Sequence, residues 1–280
     1  GGSATLEPPA ATSAVNKWIV GECVKAIQSV DLALAELRFD AAANAIYQFV
    51  WSQFCDWYLE LIKGRIDDET RAVAGWVLDQ ILVVLHPFMP FITEELWHAL
   101  SPREHELIVA KWPMADARAI DPMASDEIDW VIKVISEIRS ARTELNIPPG
   151  TRMESYVAGA NDRQQQMIKR NWSTISKLAR VEQVDLDQDK LGSANALQVV
   201  VDDVIFALQL EGVIDLDAER ARLAKAIAGA EKERDSLAAR LGNASFVERA
   251  KPEAVEKARA DHADKAAEAE RLAAALARLG

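Results

Sequence analysis

Apolar residues recur at three- and four-residue steps through the first 145 positions, and the pattern predicts five helices. Trp18, Ile19, Cys23, Ile27, Val30 and Leu34 share one face of the first helix, with Ser13 at its capping position. Leu37 to Arg65 carries Ala41, Ala45, Phe49, Phe54, Trp57 and Leu61 at the same period, with Asp40 as N-cap and Gly64 as the stop. Asp67-Asp68-Glu69 opens a third helix, which runs through Val73, Val77, Ile81 and Val84 until Pro87 ends it. A short fourth helix follows Pro90 and ends near Leu100. After a loop with prolines at 102, 113 and 122, a fifth spans Ser125 to Leu145, with Ile128, Val131, Ile135 and Ile138 inward. Five helices with short connections predict an antiparallel bundle over residues 14–150, closed by Asn146-Ile147-Pro148-Pro149-Gly150. Residues 1–13 read as a linker or a cut end.

Past Gly150 the period changes. Arg152 to Ala158 alternates as a strand, Asp162 to Lys177 reads as helix, and Val181 to Leu186 is a second strand. Leu197–Val201 and Val204–Leu210 flank Asp202-Asp203, a two-residue connection suited to a hairpin. Residues 151–212 therefore form a small α/β unit. From 213 to 280 Ala, Glu, Lys, Arg and Leu dominate. Leu216, Leu223, Ala230 and Leu237 fall seven apart, and a second run carries Val255, Ala269, Leu272, Leu276 and Leu279. These runs predict an antiparallel coiled-coil hairpin with Pro252 in the first turn of the returning helix. The expected fold class is mainly α.

Charge and composition narrow the chemistry. The formal charge is −12, which weighs against a general nucleic-acid binder and leaves room for a local, specific RNA contact. From Val213 onward thirteen Lys/Arg balance thirteen Asp/Glu, so the negative charge lies in the first 212 residues. No apolar run is long enough to span a bilayer, and the first residues lack a secretory pattern. Cys23 and Cys55 are isolated thiols without metal-ligand spacing, and the four histidines show no catalytic or metal spacing; the expected metal ligands are none. A cytoplasmic, monomeric protein is expected.

Most aromatics of the second helix read as core. Arg38-Phe39 at its mouth reads either as packing or as a guanidinium and ring suited to unstacked bases. Arg139 and Arg142 read as an exposed basic helix face, and Arg220, Arg222 and Lys225 as a solvated face held by i,i+4 pairs.

Longer strings carry a resemblance. Arg38-Phe39-Asp40, Tyr47-x-Phe49-x-Trp51, Phe54-Cys55-Asp56-Trp57-Tyr58-Leu59-Glu60 and Leu85-His86-Pro87-Phe88-Met89-Pro90-Phe91-Ile92-Thr93-Glu94-Glu95-Leu96-Trp97 resemble the anticodon-binding bundle of class I aminoacyl-tRNA synthetases. The valine, isoleucine and leucine subgroup is the nearest. Leu210-Glu211-Gly212-Val213-Ile214-Asp215-Leu216 and Leu241-Gly242-Asn243-x-x-Phe246-Val247 are similar to the C-terminal arm of its valine-specific branch.

The resemblance implies a tRNA-recognition portion. The bundle would bind the anticodon loop of valine tRNA, and the arm the outer corner. Implied contacts are Arg38, Phe39, Lys63, Arg65, Arg139, Arg142, Arg220, Arg222 and Lys225. Gly64 departs from the family pattern, which has proline there. The signature motifs of ATP chemistry and of editing do not occur in this sequence; Lys190-Leu191-Gly192-Ser193-Ala194-Asn195 lacks the second lysine of the family's catalytic loop and reads as a plain loop. Valine activation, ATP and Mg would belong to the remainder of the synthetase, with no cofactor in this chain. The runner-up is a non-catalytic coiled-coil scaffold for protein contacts.

Overall fold

The computed structural model describes residues 7–64, 66–114, 116–185, 196–213, 215–243 and 251–277. The expected loop at 190–195, the turn residues 244–250 and Arg65 lie outside them. The chain is mainly helical with one small four-stranded sheet, and its residues cluster into two compact units, one up to Ile132 and one from Lys133.

The first unit is built on α1 (Ala14–Ala35), α2 (Phe39–Gln48), a π-helical segment (Phe49–Tyr58), α3 (Leu59–Ile62), α4 (Asp68–Leu85) and α5 (Pro90–Leu100). Trp18, Ile19, Cys23, Ile27 and Val30 of α1 are buried as their spacing predicts, and they meet Val73, Trp76, Val77 and Ile81 of α4 in one core. Two caps differ from expectation. Ser13 stands at the N-cap of α1 without a side-chain bond; the Glu69 carboxylate instead accepts the Ser13 amide (3.0 Å), the Thr12 amide (3.0 Å) and the Thr12 hydroxyl (2.6 Å). Asp40 lies in the first turn of α2, and Arg38 holds the capping position.

The π segment explains why the expected apolar seam is out of phase. The Leu59 amide donates to the Phe54 carbonyl five residues back, and the buried aromatics Phe49, Phe54 and Tyr58 follow five- and four-residue steps. Ala42 and Ile46, rather than Ala41 and Ala45, are therefore buried upstream of it. At its end the Tyr58 hydroxyl donates to Asn16 Oδ1 (2.9 Å), and Asn16 Nδ2 donates to Glu69 (2.9 Å). Asn16 is 1% exposed, so this polar chain is what satisfies it.

Helix α6 spans Pro122–Glu144, with Ile128, Val131, Ile135 and Ile138 fully buried. The second unit carries β1 (Met153–Ala158), α7 (Asp162–Ala179), β2 (Val181–Asp185), β3 (Ala196–Val201) and β4 (Val204–Gln209). The sheet order is β2-β1-β4-β3: β1 and β2 are parallel across α7, and β3 and β4 form the hairpin expected at Asp202-Asp203, pairing Val201 with Val204. Gly159 after β1 has φ +75°, and a Cβ there would sit 2.4 Å from the Asp203 carbonyl oxygen, so the position admits only glycine. Two 26-residue helices follow, α8 (Leu216–Leu241) and α9 (Pro252–Ala277), packed along each other over Leu223, Ala230, Val255, Ala258, Ala269 and Ala275. Lys265 of α9 reaches Glu233 of α8 at 2.9 Å.

Candidate nucleic-acid interface

The link between α1 and α2 is a tight helix stop. The Arg38 amide donates to the Ala33 carbonyl (2.8 Å) and the Leu37 amide to Leu34 (3.0 Å), the two bonds of a Schellman closure. Its left-handed residue is Leu37, at φ 58°, where a side-chain-bearing residue costs about 1–2 kcal/mol relative to the right-handed region. This turn leaves no room for a linker and puts Arg38 and Phe39 at the surface. The Phe39 ring is 58% exposed, a poor placement for a residue whose purpose is packing. Arg38 Nη1 lies 3.7 Å from Glu36 Oε2, a loose ion pair with the side chain 63% exposed. The guanidinium and ring belong to neighbouring residues and are both accessible, as a stacking-plus-phosphate contact requires.

Farther along the same helix stand two exposed aromatics, against the general expectation that most aromatics here are core. Tyr47 and Trp51, one turn apart, are 58% and 57% exposed and stack in near-parallel planes (5°) with centroids 6.2 Å apart. The inward positions here are Ile46 and Phe49, and Tyr47 and Trp51 lie off that line. The signal available beforehand was weak. Tyr47 and Trp51 are four apart from each other but off the Ala42–Ile46–Phe49 line.

The remaining expected contacts separate into exposed and occupied groups. Lys63 is exposed and paired to Glu60 at 3.0 Å, just before Gly64 at φ +91°. Arg139 donates its Nε to the Leu178 carbonyl at 2.9 Å.

Arg142 is a correction. It is 5% exposed, and its two terminal nitrogens donate to four carbonyls: Ala179 (3.3 Å), Arg180 (3.0 Å), Pro148 (3.1 Å) and Thr151 (2.7 Å). Burial, and secondarily the nearby Arg180 charge, push its pKa down. Neither the exposed basic face nor a surface contact describes it; it ties the end of α6 to the turn after it and to the strand entry at Arg180. The Asn146 turn (φ 50°) that follows α6 is closed by the Ile147 amide on the Arg142 carbonyl at 2.9 Å, so both ends of this residue are engaged.

On α8, Arg222 makes two bonds to Glu219 (2.6 and 2.8 Å) and one to the Glu144 carbonyl (3.1 Å), and Glu219 raises its pKa. Arg220 lies 3.5 Å from Asp217, and Lys225 is exposed. These two pairs on α8 are i,i+3, rather than the i,i+4 pairs expected.

With this geometry in view, the chain's kinship is specific. Residues 16–157 match the family model described as the anticodon-binding domain of tRNA ligase, and residues 215–280 match that of the valyl tRNA synthetase tRNA binding arm. The chain belongs to the anticodon-binding domain family of tRNA ligases. Its two matched regions together are tRNA-recognition domains of the valyl-tRNA synthetase type.

Among relatives, the chain is 63% identical to a valine–tRNA ligase of Rhizorhabdus wittichii (100% of this chain, 32% of the relative). It is 51% identical to one of Sphingopyxis alaskensis (99% and 33%) and 46% identical to one of Zymomonas mobilis (98% and 32%). The chain spans about a third of the length of these curated relatives. No helix among the described residues is long and apolar enough to cross a membrane.

Proposed function

We propose that residues 14–150 bind the anticodon loop of valine tRNA as an antiparallel helical bundle, and that residues 213–280 lie along the outer corner of the same tRNA as an antiparallel coiled-coil hairpin. The observation that carries the first half is the exposed Phe39 ring beside the loosely held Arg38. A flipped base stacks on the ring while the guanidinium takes a base edge or phosphate, and Tyr47–Trp51 offers a second platform about 12 Å along the helix. Lys63 and Arg65 serve the backbone at the far end of that helix. For the arm, the buried alanines at its seam favour close helix approach, and its charge balance beside a negative body favours phosphate there over elsewhere. Of its basic residues, Lys225 is the readiest, since Arg220 and Arg222 must first leave Asp217 and Glu219.

In the longer protein, this part would select the tRNA while the remainder of the synthetase attaches valine using ATP and Mg and edits errors, in the cytoplasm and as a monomer.

The test is filter binding of valine tRNA and of its anticodon-substituted forms. Phe39→Ala is expected to weaken binding by about 1–3 kcal/mol, the range for a lost base stack, and to erase the difference between anticodons. An unchanged midpoint for that variant, with discrimination intact, removes Phe39 from the interface.

A further inference from the structure

Among residues to which no RNA contact is assigned, the first unit gathers a histidine and two carboxylates. Glu94 and His98 stand four apart on α5, so one helical turn places both on the same side. Glu106 arrives from the loop that follows. His98 Nε2 lies 2.8 Å from a Glu106 carboxylate oxygen and 3.3 Å from Glu94 Oε1, and one ligand atom of each of the three falls within 4.8 Å of the others. We propose that Glu94, His98 and Glu106 form a binding site for a divalent transition metal, zinc being the best match.

The separations suit that ion. Zinc held at about 2.0–2.2 Å from nitrogen and oxygen ligands has ligand–ligand edges of roughly 3.3–3.5 Å in a tetrahedron, and the two histidine–carboxylate edges, 2.8 and 3.3 Å, lie within tenths of an ångström of that. The donor set also discriminates: one imidazole with two carboxylates favours zinc and its neighbours over magnesium or calcium, which demand more oxygen ligands. Three protein ligands leave the fourth position to water. Electrostatics favours occupancy, because two carboxylates converge on a single imidazole and a divalent cation compensates both.

The ligands are held by surrounding structure. Glu94 Oε1 accepts the Leu107 amide at 2.7 Å, orienting that carboxylate. The loop carrying Glu106 is anchored on both sides of it. Arg103 makes a bidentate, buried pair with Asp79 (3.0 and 2.6 Å) and lies 3.6 Å over the Trp97 ring. Trp97 Nε1 donates to the His105 carbonyl at 3.0 Å, and Leu107 is buried against Leu82 and Trp97. A site between a helix and a loop fixed this firmly acts as a staple: metal binding joins α5 to the segment that crosses its end.

The experiment is cobalt(II) and zinc titration of the chain as it stands. Cobalt should give the intense visible bands of a tetrahedral site, saturating at one equivalent, and zinc should displace it. His98→Ala and Glu106→Gln, both at exposed positions and checked for unchanged circular dichroism, should each lose affinity by at least the roughly 10–100-fold known for mere outer-sphere partners. His262→Ala, on α9, should titrate like the parent. The proposal is overturned by a parent spectrum of the weak octahedral kind, by no saturable binding, or by variants that bind as the parent does.

Discussion

Arg142→Met is the most informative single change, because family resemblance and structure give that position different meanings. Methionine keeps the apolar stem of the side chain and removes the guanidinium donors. Four carbonyls then lose their partner, through bonds of 2.7, 3.0, 3.1 and 3.3 Å. A carbonyl left dry costs about 1–3 kcal/mol; water can reach some of these, and removing a desolvated cation returns part of the cost, so the net loss is about 3 kcal/mol. Local opening around residues 142–182 should therefore become about 100-fold more frequent. Hydrogen exchange read by mass spectrometry locates this directly, with peptides covering β1, the end of α7 and the start of β2 exchanging faster while those of α1 and α4 do not. Valine tRNA affinity of the folded protein should be unchanged. A less than threefold rise in exchange would refute the bracing role, and a large loss of RNA affinity without faster exchange would return Arg142 to the interface.

Three further outcomes are expected. Tyr58→Phe leaves Asn16 Oδ1 without its donor in a site closed to water, and should cost about 1–2 kcal/mol in urea unfolding; an unchanged midpoint would mean that Asn16 finds another partner. The bonds from Asn16, Thr12 and Ser13 pull the Glu69 carboxyl from the ordinary 4.5 down to about 2. A lowered folded-state value means a contribution complete above pH 4.5 and lost as pH falls toward 2, so the acid limb of the stability curve should flatten in Glu69→Gln, and an identical limb would contradict the assignment. Leu223→Ala, at a fully buried seam position, should lower stability of the α8–α9 pair by about 2–3 kcal/mol, near the low end for leucine truncation because neighbouring helices can close in; thermal circular dichroism measures it.

Much of the architecture was legible in the chain. Asp67 caps α4 through the Thr70 amide at 2.7 Å, as its place before an acidic first turn suggests, and Pro90 opens α5. The alternation of residues 153–158 and the Asp202-Asp203 turn yield β1 and the β3–β4 hairpin. What escaped depends on partners distant in sequence or on a change of helical pitch. A helical period alone could not choose between Ala41–Ala45 and Ala42–Ile46 as the inward line ahead of the π segment, nor say which of the helix's aromatics stay outside. Arg142 looked like surface because nothing local announces carbonyls at 179 and 180. The Glu94–His98 spacing was passed over in the sequence, because the third member, Glu106, joins them only through the folded loop. The pair at Arg38-Phe39 and its exposure were visible; the turn that presents it, a leucine adopting a backbone state usually reserved for glycine, was not.

The cap of α1 has a consequence for order of assembly. The groups that terminate this helix belong to a carboxylate 53 positions beyond Asn16, on α4. A nascent chain that stops before Glu69 can coil the first segment yet cannot finish its leading turn, so that end should stay frayed until the partner helix has docked. The two elements then become ordered as one step, and a peptide excised from the start of the chain would be a poor guide to how it behaves in the whole.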